Sequence, residues 1–172
     1  MPIRIPKTRP EATLALDHLR RIVQALRESS RASERLLGVS GAQLFVLQTL
    51  AKSHALSLND LALRTHTHQS TVSVVVKRLV GRSLVQSRPS QSDRRRIELE
   101  LTASGAALLR RAPAAAQDRL VAGLSALRAK ERASLAASLG KLARAMQLDE
   151  RAPSMFFEDA SHPPKPRRPH GT

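Results

Sequence analysis

The sequence predicts a mainly α-helical fold carrying one small β-hairpin. Three observations lead there. Apolar residues recur at three- and four-residue spacing through most of residues 11–148. The period changes to strict alternation at one place, where Ile97, Leu99 and Leu101 interleave with Glu98 and Glu100. Prolines gather at the two ends, at Pro2, Pro6 and Pro10 and again at Pro153, Pro163, Pro164, Pro166 and Pro169. Those ends read as an extended arm over 1–10 and an irregular, basic tail over 152–172.

Between them the elements follow in order. Residues 11–37 form a helix whose seam is Leu16, Leu19, Val23 and Leu26, with Gly38 where a C-terminal cap belongs. A second helix runs over 40–53, N-capped by Ser40 and burying Leu44, Leu47 and Leu50. A short third helix covers 58–65, and His66-Thr67-His68 makes the turn into a fourth over 69–82. Strands follow at 84–88 and 96–101, joined by a turn-rich loop through Pro89, Ser90 and Asp93. Thr102 caps a helix expected to continue to residue 127, kinked or broken at Pro113. The last helix, 129–148, has the seam Leu135, Leu139, Leu142 and Met146.

Composition narrows the function. The chain has 172 residues, long enough to bury roughly 70% of its unfolded surface without a metal or disulfide. It has no cysteine, which excludes a disulfide framework, a thiolate zinc site and thiol redox sensing. Lys and Arg outnumber Asp and Glu by 29 to 14, a net charge of +15. The three aromatics are all Phe, too few to stack single-stranded bases, so the charge points to duplex phosphates. No apolar run approaches the ~20 residues of a membrane span and no signal-peptide core opens the chain, so the expected location is cytoplasmic, with no membrane partner. Catalysis is not expected. No nucleophile motif, Gly-rich phosphate loop or apolar carboxylate pair is present, and no cofactor is called for. His66-x-His68 lacks a thiolate or carboxylate cluster and makes a poor metal site.

The order helix, helix, short helix, helix, hairpin, helix, helix contains a winged helix-turn-helix. In it a short helix braces the next one in the DNA major groove. Along the fourth helix Val72, Val75, Val76 and Leu79 belong to the core, while Gln69, Ser70, Thr71, Ser73, Val74 and Lys77 face outward with Arg78 beside them. Small hydroxyl side chains near a helix N-terminus approach base edges closely, and the N–H groups there favour phosphate. The hairpin tip carries Arg88, Arg94, Arg95 and Arg96, suited to the narrow minor groove, with Asp93 holding one of those guanidinium groups in place. The seams of the first and last helices are too apolar for arms packing on so small a lobe. A two-fold homodimer covers them and sets two recognition helices one DNA turn apart, ~34–36 Å.

Leu56-Ser-Leu-Asn-Asp-Leu-Ala, Gln69-Ser-Thr-Val-Ser-Val-Val-Val-Lys-Arg-Leu, Leu84-Val, Arg88-Pro-Ser, Asp93-Arg94-Arg95 and Leu101-Thr102-Ala-Ser-Gly105 together resemble the MarR (multiple antibiotic resistance regulator) family over residues 14–148. The resemblance implies a homodimeric transcriptional regulator, a repressor on a pseudo-palindromic operator, released by a small aromatic or phenolic carboxylate effector. It implies a division into a DNA-binding lobe at 40–102 and dimerisation helices at 11–37 and 103–148, all within a domain ending near 151. It makes Arg95 the foremost minor-groove residue, with Arg94 next, and puts Ser70, Thr71, Ser73 and Val74 at major-groove positions. An effector pocket between dimer helices and lobe brings in His18, Arg21 and Phe45, each of which also reads as an ordinary surface or core residue. Two departures stand out. Val74 replaces a commonly polar position, and Ser83 replaces the Gly that usually ends the recognition helix, so that cap is expected to be strained or built differently. The rival reading is a nucleoid-type protein that coats DNA by charge, without operator or ligand.

Overall fold

The computed structural model describes residues 10–53, 55–90, 96–148 and 153–158. The arm at 1–9, His54, the hairpin tip with Asp93, Arg94 and Arg95, and the tail from 159 onward lie outside the described residues.

Helix α1 is Pro10–Leu37, opening on a proline whose fixed φ suits a first helical position. It ends at Gly38, whose φ of +66° lets its N–H reach Glu34 O at 2.9 Å. Helix α2, Gly41–Ala51, is held at its start by a reciprocal cap in which Gln43 N–H donates to Ser40 Oγ and Ser40 N–H to Gln43 Oε1, both at 3.2 Å. Residues around its whole circumference are buried, Leu44, Phe45, Val46, Leu47 and Leu50 among them, so α2 is the axis of the core. Helices α3 (Leu58–Thr65) and α4 (Gln69–Gly81) pack on it, α4 through Val72, Val75, Val76 and Leu79. Burial of that face holds a helix rich in β-branched valine, which has modest helical propensity.

Strands β1 (Val85–Pro89) and β2 (Ile97–Leu101) pair antiparallel in the register Val85 opposite Leu101 and Pro89 opposite Ile97. Their alternation is as expected at the base, where Leu99 is buried, but Ile97 at the far end is exposed. Leu56 joins the other edge of β2, exchanging bonds with Leu99 at 3.2 and 2.8 Å. The hairpin is thereby tied to the start of α3.

The helix expected over 103–127 is two helices, α5 (Ala103–Leu109) and α6 (Ala116–Ala126). Pro113 prevents continuation, and Gln48 of α2 takes over the exposed backbone groups. Its Nε2 donates to Pro113 O at 2.8 Å and its Oε1 accepts from Ala115 N–H at 3.1 Å. A Lys52–Asp118 ion pair at 2.7 Å lies across the same junction. Helix α7 is Ala129–Ala145, shorter than expected, closing with Gln147 at a φ of +54°. None of its residues is buried. Of the last seam Leu139, Leu142 and Met146 are exposed and Leu135 is half-buried. On α1, Leu16 and Val23 of the expected seam are exposed, with Leu14 and Ile22 beside them, whereas Leu19 is half-buried and Leu26 is buried. No described helix is long and apolar enough to cross a membrane.

Residues 153–158 return as a strap across α4 and α6. Met155 enters the core at 4% exposure, whereas Phe156 stays outside.

Candidate DNA interface

The turn between α3 and α4 is built from its two histidines. His66 sits at a φ of +51° and closes α3, with Thr67 N–H bonded to Ala62 O at 3.0 Å. His68 is the N-cap of α4 but makes no side-chain cap bond, unlike Ser40, Ser57 and Thr102 at the starts of α2, α3 and α5. The first-turn N–H groups of α4 are thus left for an outside acceptor such as a phosphate oxygen.

Along α4 the outward face holds Gln69, Ser70, Val74 and Lys77, all exposed, with Ser73 half-buried among them. Val74 is 43% exposed, an apolar tip able to meet a thymine methyl group. Thr71 differs from expectation. It lies one turn before Val75, on the buried edge, and its hydroxyl donates to Pro153 O of the strap at 3.1 Å. Arg78, one further turn along that edge, donates to Glu158 O at 2.9 Å. The edge holding Thr71 and Arg78 is therefore engaged by the chain itself. The apolar run Met155-Phe156-Phe157 in a polar, Pro-rich tail reads in the sequence as a segment that docks back or stays loose; its bonds to Thr71 and Arg78 have no sequence signal.

The helix ends as its sequence implies. Ser83 takes a φ of +57°, Leu84 N–H reaches back to Leu79 O at 3.0 Å, and Ser83 N–H bonds Val80 O at 2.9 Å. This is the bonding of a glycine cap with a serine in the left-handed position, a strained arrangement. Arg82, exposed just beyond α4, donates to Gly38 O at 2.7 Å, clamping the end of α4 to the end of α1.

On the hairpin, Arg88 and Arg96 are exposed and flank the tip that carries Asp93, Arg94 and Arg95. Arg88 donates to Gln86 Oε1 at 3.2 Å, and Gln86 in turn donates to Glu100 at 3.1 Å. Asp60 at the start of α3 is held below the usual carboxylate range. The Ser57 hydroxyl is the chief cause, then the Ser57 N–H, with Arg96 and Arg64 adding charge. The hairpin is tied to α3 by the Leu56 bridge to Leu99, and the Arg96 charge adds slightly to the lowering of Asp60.

Of the proposed effector residues, Phe45 lines a cavity of about 320 Å³ with His66, His68, Gln117, Val121 and Leu124, roofed by 153–156. His18 and Arg21 are exposed on α1 and do not line it.

A family model described as "MarR family" matches residues 37–96, from the end of α1 to the root of β2. The HTH-type transcriptional repressor MdtR of Bacillus subtilis is 31% identical over 133 residues, 77% of this chain and 86% of that protein. The chain belongs to the MarR family. It is a winged-helix protein of a family of DNA-binding transcriptional regulators, with α3 and α4 as the helix-turn-helix and the β1–β2 hairpin as the wing. The HTH-type transcriptional repressor NicR of Pseudomonas putida is 34% identical over 104 residues, 60% of this chain and 66% of that protein. A solved structure concerning regulation of DNA binding of Bordetella bronchiseptica BpsR by 6-hydroxynicotinic acid superposes with a TM-score of 0.51 at 26% identity, covering 83% of this chain and 98% of that one.

Proposed function

We propose that this MarR-family protein is a homodimeric repressor that reads a pseudo-palindromic DNA operator and answers to a small aromatic effector. The observation that carries the reading is the exposed face of α4. It offers Ser70, Ser73, Val74 and Lys77 to a groove beside uncapped N–H groups, next to a wing whose tip is flanked by Arg88 and Arg96. Dimerisation is supported by the apolar residues left exposed on the first and last helices, Leu14, Leu16 and Val23 at one end of the chain and Leu139, Leu142 and Met146 at the other. The relatives MdtR and NicR, named as repressors, support the sign of regulation. The control of BpsR by 6-hydroxynicotinic acid supports an effector, and the cavity beside Phe45 is its proposed place.

The test is selection of bound sequences from a random duplex library at near-physiological salt, which suppresses binding by charge alone. An enriched inverted repeat with half-sites about one turn apart (~34–36 Å) is expected. Binding without enrichment, fading as salt rises, refutes operator reading and leaves DNA coating. On the selected site Arg95→Ala is expected to lower affinity roughly tenfold or more while the circular dichroism stays native. Unchanged affinity removes the wing from the interface.

A further inference from the structure

The cavity beside Phe45 contains one group whose chemistry is unmet. Gln117, the second residue of α6, is 6% exposed. Its Nε2 donates to the carbonyl oxygen of Phe156 in the strap at 3.0 Å. That bond fixes which way the amide faces, since the reverse orientation sets two carbonyl oxygens against each other. The other end, Oε1, is buried and accepts no hydrogen bond among the described residues. Leaving a buried acceptor unmet is costly, and such groups mark places completed by something else.

The surroundings define what completes it. Phe45, Leu120, Val121, Leu124 and Met155 supply apolar walls, and no Lys, Arg, Asp or Glu is among the described lining residues. A volume of about 320 Å³ suits a molecule of one or two fused rings. Thr65, His66, Thr67, His68 and Ser154 are the other polar members of the lining. A planar molecule with an N–H beside a C=O, the edge of a cyclic amide, matches the Gln117 amide at both ends. Its N–H donates to Oε1 and its carbonyl accepts from Nε2, the bond now made by Phe156.

From this geometry we infer that the cavity is a binding site for a planar molecule with a lactam edge, read by Gln117, and that the Phe156 carbonyl is the intramolecular stand-in for the ligand's own. The inference rests on the proposed effector control and specifies its ligand class. Because the same strap holds Thr71 and Arg78 of α4 through its carbonyls at 153 and 158, a ligand that displaces Phe156 changes what grips the recognition helix.

The experiment uses full-length protein labelled with carbon-13 at the methionine methyl groups. The chain has three methionines, Met1, Met146 and Met155, so the strap has its own signal. The probe is 2-quinolone, with N-methyl-2-quinolone as the compound lacking the donor. 2-Quinolone is expected to move the Met155 signal in a saturable manner. The N-methyl compound, and 2-quinolone on the Gln117→Met variant, are expected to bind about tenfold more weakly or worse. Equal affinity for the two compounds on the wild-type protein overturns the inference, and this comparison does not depend on the variant folding. So do undiminished binding by Gln117→Met, binding that leaves Met155 unmoved, and no binding of 2-quinolone up to its solubility. No DNA enters the assay, so operator reading fails or stands by the library selection alone. If 2-quinolone binds as described but leaves operator affinity unchanged, the site stands and effector control falls.

Discussion

Gly105 in the Leu101-Thr102-Ala-Ser-Gly105 segment is buried in the first turn of α5, and its substitution by alanine sets two effects against each other. In an ordinary helix Gly→Ala stabilises by about 1 kcal/mol. Here a Cβ placed on Gly105 meets Leu84 O at 2.2 Å, Leu84 C at 3.1 Å and Leu101 Cδ2 at 3.2 Å. The carbonyl must retreat by about 1 Å to reach an ordinary carbon–oxygen contact. It is not free to do so. Leu84 O accepts from Thr102 N–H at 3.2 Å, and the preceding Ser83 O accepts from the Thr102 hydroxyl at 2.7 Å. Overpacking against well-fixed neighbours costs about 1–3 kcal/mol, and a backbone obstacle places this case at the upper end. The net expectation for Gly105→Ala is a loss of about 1–2 kcal/mol. Gly123→Ala is the control, because that α6 position has nothing within 4 Å of its Cβ and should gain about 0.5–1 kcal/mol. Urea unfolding followed by circular dichroism, at one protein concentration because the proposed dimerisation would add to apparent stability, measures both. Stability of Gly105→Ala equal to or above wild type would falsify the claim that α5 must touch the Leu84 backbone, just before β1.

Two other predictions concern caps. Ser83→Gly relieves a left-handed serine and is expected to stabilise by about 0.5–1 kcal/mol, the relief of ~1–2 kcal/mol being partly offset by the greater freedom of glycine in the unfolded chain. A measured destabilisation in the same urea titration removes the strain argument. Asp60 carries a carboxyl held below its usual value when folded, so its contribution is present above the unfolded value and disappears as pH falls through the lowered folded one. Wild-type thermal stability is therefore expected to fall more steeply than that of Asp60→Asn below about pH 4. Parallel curves through that range show that the α3 cap does not depend on the ionised group.

Most of the fold was legible because its determinants are local. Ser40 and Thr102 announce their caps, Val72, Val75, Val76 and Leu79 announce the inner face of α4, and the alternation at 97–101 announces a strand. What escaped depends on partners distant in sequence. Leu56 pairs with β2 as a single residue, too short for any period to show. Pro113 signalled a disruption, but whether it kinks or separates the helix depends on Gln48, 65 residues earlier, accepting and donating to the gap. Thr71 looked like a groove-facing hydroxyl because small polar residues suit that place. Its hydroxyl instead bonds a carbonyl 82 residues onward. The outward positions Ser70, Val74 and Lys77 needed only the helical period, and they are where that period puts them.

The clamp from Arg82 to Gly38 O has a mechanical meaning. The C-terminal end of α4 is bolted to the joint where α1 finishes, while its opposite edge hangs from a carbonyl strap. In the proposed dimer α1 belongs to the shared base, so a swing of one arm carries the attached helix with it as a crank carries its pin. The separation of the two reading helices is then set at the joints rather than on the reading face. Two such proteins can share every groove-facing side chain and still demand operators of different pitch.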